Sequence, residues 1–220
     1  MVADTPDAVR PRRWLAIEFA ALYFGAPLAI ALFLPPGMMF SALFVFTLAG
    51  LMLLWRTGGF EWRSLIRGWS RVHWAFLLAF TIGVGFLGWA IMVLTQPDYV
   101  IPLSPARLRF LALIWALYPL LSALPQELIF RVLFFYRYGS LLPPGNARIA
   151  INAAVFSFAH LMYWSWIVAI MTFVGGVIFA RGYLERGFPS AWLLHAFAGN
   201  MLFAVGMGYY FWSGNVVRPF

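Results

Sequence analysis

Cysteine and lysine are both absent from this chain of 220 residues, and charged side chains of any kind are scarce. Without cysteine, disulfides, thiolate metal sites and a cysteine nucleophile are excluded. Charged residues form 10% of the chain, against about a quarter in soluble domains. Hydrophobic residues form 64%. The composition excludes a soluble globular domain and predicts an integral membrane protein.

Long apolar runs recur along the chain, each near the roughly 20 residues that a membrane-spanning helix needs. They predict an all-α, polytopic transmembrane bundle in a single membrane domain, 1–220, preceded by a polar cytoplasmic tail, 1–13. Seven spans are expected, at 14–34, 38–55, 74–95, 108–136, 149–164, 166–181 and 190–212. The fourth run is too long for one straight helix and contains Pro119 and Pro125. A kink or restart near Pro125 is therefore expected, and a restart would make an eighth helix.

Every basic residue is an arginine, and the formal net charge is +8. Because these arginines lie in short segments between apolar runs, they fit anionic lipid headgroups and topology control rather than nucleic acid. Eleven fall on one side of the predicted bundle and three on the other: Arg10, Arg12, Arg13, Arg56, Arg63, Arg67, Arg71, Arg137, Arg148, Arg181 and Arg186 against Arg107, Arg109 and Arg218. This asymmetry predicts a cytoplasmic N-terminus and membrane lipids as partners.

Polar groups interrupt three of the apolar runs: Glu127 with Arg131, His160, and His195 with Asn200. Such groups are costly in hydrocarbon, so they usually face a bundle interior or a water-filled cavity and indicate function. At 1.5 Å per residue, Glu127, His160 and His195 come out at depths of roughly 8–17 Å below the cytoplasmic surface. Three segments thus place polar groups in one layer, which favours a shared site.

Each of these features also has a purely structural interpretation. Glu127 and Arg131 are four residues apart with the acid first, the favourable order for a pair on a helix, and such a pair can simply neutralise itself. A single histidine in an apolar helix, such as His160, is often bonded to a neighbouring carbonyl. His195 and Asn200 lie roughly 140° apart around a helix, so they need distortion or a water to share a target. Gly199 could serve close helix packing.

At these residues the chain resembles the CPBP (Abi) family of intramembrane proteases, which includes the eukaryotic CAAX prenyl endopeptidase. The family's motifs are Glu-Glu-x-x-x-Arg, Phe-x-x-x-His, and a histidine followed closely by Asn or Asp. They correspond here to Gln126-Glu127 with Arg131, Phe156 with His160, and His195 with Asn200, so that the resemblance covers 108–212 as a catalytic core. It implies an endopeptidase that cleaves a membrane-associated or prenylated peptide or protein.

This chain departs from the family pattern at two positions. Gln126 stands where the family has its first Glu, the base to which the activation of water is ascribed, and Asn200 follows His195 by five residues instead of four. A carboxamide takes no proton near neutral pH. Three explanations remain open: a natural variant in which Glu127 takes over, a non-hydrolytic relative, or an engineered inactive form.

The leading hypothesis is that a Glu/His-activated water attacks the peptide bond, with His195 and Asn200 stabilising the oxyanion and Arg131 holding Glu127 ionised. A zinc version, with His160, His195 and Glu127 as ligands, is also open, since two histidines and an acid can hold zinc. The alternatives are an impaired member that binds membrane peptide or lipid, a transport accessory, and a proton-coupled transporter. The Arg-rich, Lys-free composition suggests a bacterial inner membrane, with the site opening to the cytoplasmic side.

Overall fold

A computed structural model describes residues 11–101 and 104–219 of the protein. Within these residues the secondary structure is helical, without a β-strand. Its long helices are α1 (Arg12–Phe33), α2 (Pro36–Trp55), α3 (Trp74–Thr95), α4 (Pro105–Arg137), α5 (Asn146–Ala159), α6 (Trp166–Arg186) and α7 (Phe188–Ala204). Single helical turns cover Trp62–Ile66, Trp69–Arg71, Gly139–Leu141, Leu161–Tyr163, Gly208–Phe211 and Ser213–Asn215.

The all-α membrane bundle predicted from the sequence is confirmed, whereas its count of seven to eight membrane helices is not. Five helices of the described residues, α1 to α4 and α6, are long and apolar enough to cross a membrane. The helices α5 and α7 have 14 and 17 residues, fewer than the roughly 20 of a typical membrane span. Of the predicted tail 1–13, residues 1–10 lie outside the described residues, and Arg12 already begins α1.

Helix α4 continues through both of its prolines, so of the two outcomes expected near Pro125, a kink or a restart, the restart is wrong. Ala123 and Leu124, just before Pro125, keep right-handed helical dihedrals of φ −64°, ψ −46° and φ −57°, ψ −53°. Instead of breaking, the helix widens into π-helical turns at Pro119–Ala123 and Leu128–Leu133. A π turn shifts the hydrogen-bond pattern by one residue. The helix can therefore continue past a proline, which has no amide hydrogen to donate.

Two helices begin or end differently from the expected spans 149–164 and 190–212. Helix α5 ends at Ala159, because His160 has φ −93° and ψ 5° and leaves the helical path. Helix α7 begins at Phe188, directly after Gly187, whose φ of +98° belongs to the region that favours glycine. His160 lies on the bend at the end of α5, whereas His195 lies in the middle of α7.

The core lies where α4, α5, α6 and α7 meet. Its centre is aromatic, with Phe130 and Phe134 of α4, Phe156 of α5 and Phe179 of α6 all buried. Close approach of α5 and α6 depends on Gly176, where a Cβ would lie 2.9 Å from the Cα of Ala153. The outward faces carry large exposed apolar side chains, such as Phe44, Phe86 and Leu94, as helices in contact with lipid do.

A buried ion pair fastens α1 to α4 at the end of α4. Arg137 Nε lies 2.5 Å from Glu18 Oε1, and its Nη1 donates to Thr57 Oγ1 at 2.7 Å. The Tyr138 hydroxyl donates to the same Glu18 oxygen at 2.7 Å. This network ties α1 and α4 to the segment after α2.

Candidate active site

Polar side chains from α4, α7 and the end of α5 converge on one cavity of about 400 Å³. Gln126, His160 and His195 all line it, as do Tyr118 and Ser122 of α4. The rest of its wall is mostly apolar and comes from α1, α2, α3 and α6 as well. Residues far apart in the chain thus share one largely apolar chamber.

Glu127 lies behind this cavity and does not line it. Its side chain is fully buried, with Oε1 2.8 Å from His195 Nδ1 and Oε2 3.2 Å from Arg131 Nε. A carboxylate only accepts hydrogen bonds, so His195 Nδ1 carries a hydrogen, and in the neutral ring the lone pair lies on Nε2, which faces away from Glu127. Glu127 thereby orients His195. A carboxylate that replaces the family's first glutamate would have to line the cavity, as Gln126 does, and Glu127 does not.

Arg131 is fully buried beside Glu127 and is held by α5. Its Nη1 donates to Asn152 Oδ1 at 2.9 Å, and its guanidinium lies 4.7 Å from the centre of the Phe156 ring. The contact of Arg131 Nε with Glu127 is an ion pair rather than an aligned hydrogen bond, because neither atom meets hydrogen-bond geometry. The pairing predicted from the four-residue spacing is therefore present, and Asn152 supports it from the neighbouring helix.

Gln126, unlike Glu127, points into the cavity. Its Nε2 donates to Ser122 Oγ at 2.9 Å, whereas its Oε1 is buried without a hydrogen-bond partner in the described part of the chain. A buried acceptor without a partner costs about 1–3 kcal/mol. It is therefore well suited to accept a hydrogen bond from a water or a ligand in the cavity.

His160 presents a ring nitrogen from the bend after α5. Its Nδ1 lies 2.8 Å from the carbonyl oxygen of Phe156. A carbonyl accepts, so the hydrogen is assigned to Nδ1 and Nε2 keeps its lone pair. The structural interpretation of a histidine bonded to a carbonyl therefore holds for one nitrogen, and the other remains able to take a proton.

Aromatic rings fix both imidazoles. The Phe156 ring meets His160 and His195 edge-on, with centroid distances of 4.7 and 5.6 Å. Phe179 stacks on His195 at 4.8 Å with an interplanar angle of 10°. The two histidines are thus separated by one phenylalanine, and neither ring can turn freely.

Tyr118 and Ser122 are site residues that the sequence reasoning missed. The Tyr118 oxygen lies 3.1 Å from His195 Nε2, which accepts the hydroxyl hydrogen in the tautomer assigned above. Tyr118, Ser122 and Gln126 follow each other at intervals of four residues. That interval could have indicated that the three side chains share one face of a helix. It was overlooked because a break was expected near Pro125, whereas the three residues lie on one continuous helix.

Asn200 lies apart from the other candidates. Its Nδ2 donates to the Trp115 carbonyl at 3.2 Å, and its own carbonyl accepts from Trp115 Nε1 at 3.1 Å. It does not line the cavity. This reciprocal pair joins α7 to α4, and the structure does not bring the Asn200 side chain to the same target as His195.

The donors expected for zinc are engaged with one another or with the protein. Both Glu127 oxygens face His195 or Arg131, and both nitrogens of His195 have partners. Among residues 11–101 and 104–219, no group of three His, Asp or Glu side chains is arranged to hold a metal ion. As arranged here, His160, His195 and Glu127 do not fit a zinc ion.

The fold and this cavity define a helical membrane protein with a cluster of polar side chains in a largely apolar cavity. The model of the type II CAAX prenyl endopeptidase Rce1-like family matches residues 108–201. The resemblance predicted from the motifs is thereby confirmed, since this segment matches the CAAX prenyl protease (CPBP) family. Comparisons with curated proteins and with solved structures found no match. The family segment contains every polar residue of the cavity described above.

Proposed function

We propose that the protein is an endopeptidase that hydrolyses a peptide bond of a membrane-associated or lipid-modified peptide inside the cavity. Membership of a membrane protease family supports peptide-bond hydrolysis at the level of the family. The observation that carries the finer proposal is the free Nε2 of His160 in the same cavity as Gln126 and His195. A general base must reach a water beside the scissile carbonyl, and His160 has the one ring nitrogen of this set without a partner within the described residues.

The chemistry follows from the proton positions. A water bound to Gln126 Oε1 gives a proton to His160 Nε2 as its oxygen attacks the carbonyl carbon. The tetrahedral intermediate then breaks its C–N bond, and the protonated His160 returns the proton to the leaving nitrogen. Glu127 and Arg131 touch neither water nor substrate, and they hold His195 in one tautomer and orientation.

Gln126 limits the rate of this mechanism. A carboxamide can position the water but cannot help to remove its proton, so the wild-type enzyme works with His160 alone as base. A positioned general base contributes about 10²–10⁴-fold, and the contribution of a second base at position 126 is missing here. We therefore expect slow cleavage.

The apolar wall supports a substrate that carries a hydrocarbon group. Apolar side chains from α1, α2, α3 and α6 surround the polar groups, and burial of a hydrocarbon chain stabilises binding by about 0.8 kcal/mol per CH₂. With the orientation favoured by the arginines, the site would act on peptides at the cytoplasmic face of a membrane, for which a bacterial inner membrane remains our proposal.

Gln126→Glu tests the function. We expect faster cleavage of a fluorogenic prenylated peptide by the purified protein in lipid nanodiscs, by about 10²–10⁴-fold, because a carboxylate restores a second base. The matched control is Gln96→Glu at the end of α3, which makes the same chemical change outside the cavity and should leave the rate unchanged. An equal rate in wild type and Gln126→Glu would contradict the role given to Gln126.

The second candidate function is a non-hydrolytic peptide- or lipid-binding protein. It is favoured by the carboxamide of Gln126, which stands where the family has a glutamate. Such a protein would bind the prenylated peptide without cleaving it, and Gln126→Glu would change neither property. Cleavage by the wild type or by Gln126→Glu, abolished by His160→Ala in a folded protein, would exclude this alternative.

A further inference from the structure

The Tyr118 hydroxyl occupies a position in the cavity that no motif of the sequence marks. It lies 3.1 Å from His195 Nε2, and His195 Nδ1 in turn lies 2.8 Å from Glu127 Oε1. Glu127, His195 and Tyr118 therefore form a chain of hydrogen bonds that begins at a buried carboxylate and ends at a hydroxyl on the cavity wall. A chain of this kind fixes the direction of the terminal hydroxyl.

The imidazole of His195 and the carboxamides of Asn200 and Gln126 already use their hydrogens within the protein. His195 uses its Nδ1 hydrogen for Glu127, and its Nε2 carries a lone pair, so the neutral ring has no hydrogen to offer a substrate oxygen. Asn200 Nδ2 donates to the Trp115 carbonyl, and Gln126 Nε2 donates to Ser122. The Tyr118 O–H donates to a ring nitrogen, from which it can turn to a stronger acceptor.

We infer that Tyr118 is a catalytic residue whose O–H donates a hydrogen bond to the oxyanion of the tetrahedral intermediate. The inference rests on the proposed function and replaces Asn200 in the role that the sequence had suggested for it. As water oxygen bonds to the carbonyl carbon, the C=O π electrons move to oxygen, and the Tyr118 hydrogen bond shifts from His195 Nε2 to that oxygen. No proton leaves Tyr118. When the C–N bond breaks, the carbonyl re-forms and the hydroxyl returns to His195.

Two features of the fold place the Tyr118 ring. The first is Gly199 of α7, where an added Cβ would overlap the Tyr118 ring and hydroxyl. The second is the π turn Pro119–Ala123. A wider turn rotates less per residue than an α turn, so Tyr118, Ser122 and Gln126 stay closer to one line than three residues four apart would on a regular helix.

Tyr118→Phe tests this role, in the wild-type and in the Gln126→Glu background. We expect kcat for the prenylated peptide to fall by about 10²–10³-fold, the usual effect of losing one oxyanion donor, with KM unchanged. Tyr210→Phe is the matched control: it also removes a hydrogen-bonded tyrosine hydroxyl, but one outside the cavity that donates to Thr95 Oγ1 at 2.7 Å. It should not change kcat.

A binding measurement separates this inference from the proposed function. A phosphinic analogue of the peptide carries a tetrahedral centre with a negative oxygen, and Tyr118→Phe should weaken its binding, but not that of the uncleaved amide peptide, by about 10-fold or more. If Tyr118→Phe weakens only the binding of the phosphinic analogue, Tyr118 is the donor to the negative oxygen. If in addition the protein cleaves no peptide, the proposed hydrolysis is rejected while this role of Tyr118 is retained. Cleavage that survives Tyr118→Phe, equal weakening of both peptides, or binding of neither would overturn the role of Tyr118.

Discussion

Replacing Arg131 by methionine should destabilise the protein strongly, because it leaves the Glu127 carboxylate buried without its cation. Both side chains have no exposed surface, and the charged atoms lie 3.2 Å apart. At an effective dielectric constant of about 20, their attraction is about 5 kcal/mol. Removing one partner of a buried pair costs about 3–5 kcal/mol. For a chain of this size, that lowers the unfolding midpoint by roughly 6–20 °C.

The absence of cysteine makes this measurement simple. A single cysteine placed at the buried Val168 reacts with a fluorogenic maleimide only when the bundle opens, so heating in detergent yields an unfolding midpoint. The control is Arg67→Met, whose partner Glu61 lies 2.7 Å away but whose pair is exposed, at 62% and 65%. An exposed pair contributes about 0–1 kcal/mol.

The double variant Glu127→Gln with Arg131→Met separates charge from shape. Since it removes both charges, it should be clearly more stable than Arg131→Met alone. The reasoning is refuted if Arg131→Met costs no more than Arg67→Met, or if the double variant loses as much stability as the sum of its single changes.

The remaining predictions concern the helix contacts around the site. Gly199→Ala should displace the Tyr118 ring, cost about 1–3 kcal/mol by overpacking and lower kcat, as read by the same thermal and peptide assays. Gly37→Ala, at a position with open space around it, should do neither, and a fully active Gly199→Ala would argue against the Tyr118 contact. Glu18→Ala should cost about 1–3 kcal/mol, since Arg137 and Tyr138 each lose a hydrogen bond to a charged partner. Glu61→Ala, from an exposed pair, should cost at most about 1 kcal/mol, so equal midpoints for these two variants would contradict the estimate.

Much of the fold was predictable because apolar runs and helices coincide. The expected run 74–95 matches Trp74–Thr95 of the structure, and 38–55 lies within Pro36–Trp55. Proline was the main source of error. Its effect depends on whether the helix can widen into a π turn, which neighbouring helices decide, and the residues around Pro119 and Pro125 carry no local sign of it.

The sequence indicated which residues belong to the candidate site better than it indicated how they are arranged. Ionisable residues in apolar runs are rare enough to point to Glu127, Arg131, His160 and His195. Which face each one presents depends on helix rotation, so the sequence did not reveal that Gln126 faces the cavity while Glu127 turns away from it. Tyr118 was missed because the break expected near Pro125 separated it from Gln126, and its contact with His195 is visible only in the structure.

The π turn Pro119–Ala123 makes the length of α4 a determinant of chemistry. Deleting one residue there would turn everything upstream by about 100° relative to everything downstream. Tyr118 would swing out of the chamber while Gln126 stayed in place, without any change to either side chain. A relative with a one-residue gap in this stretch would therefore have to supply the hydroxyl from another position, even where its motif residues all align.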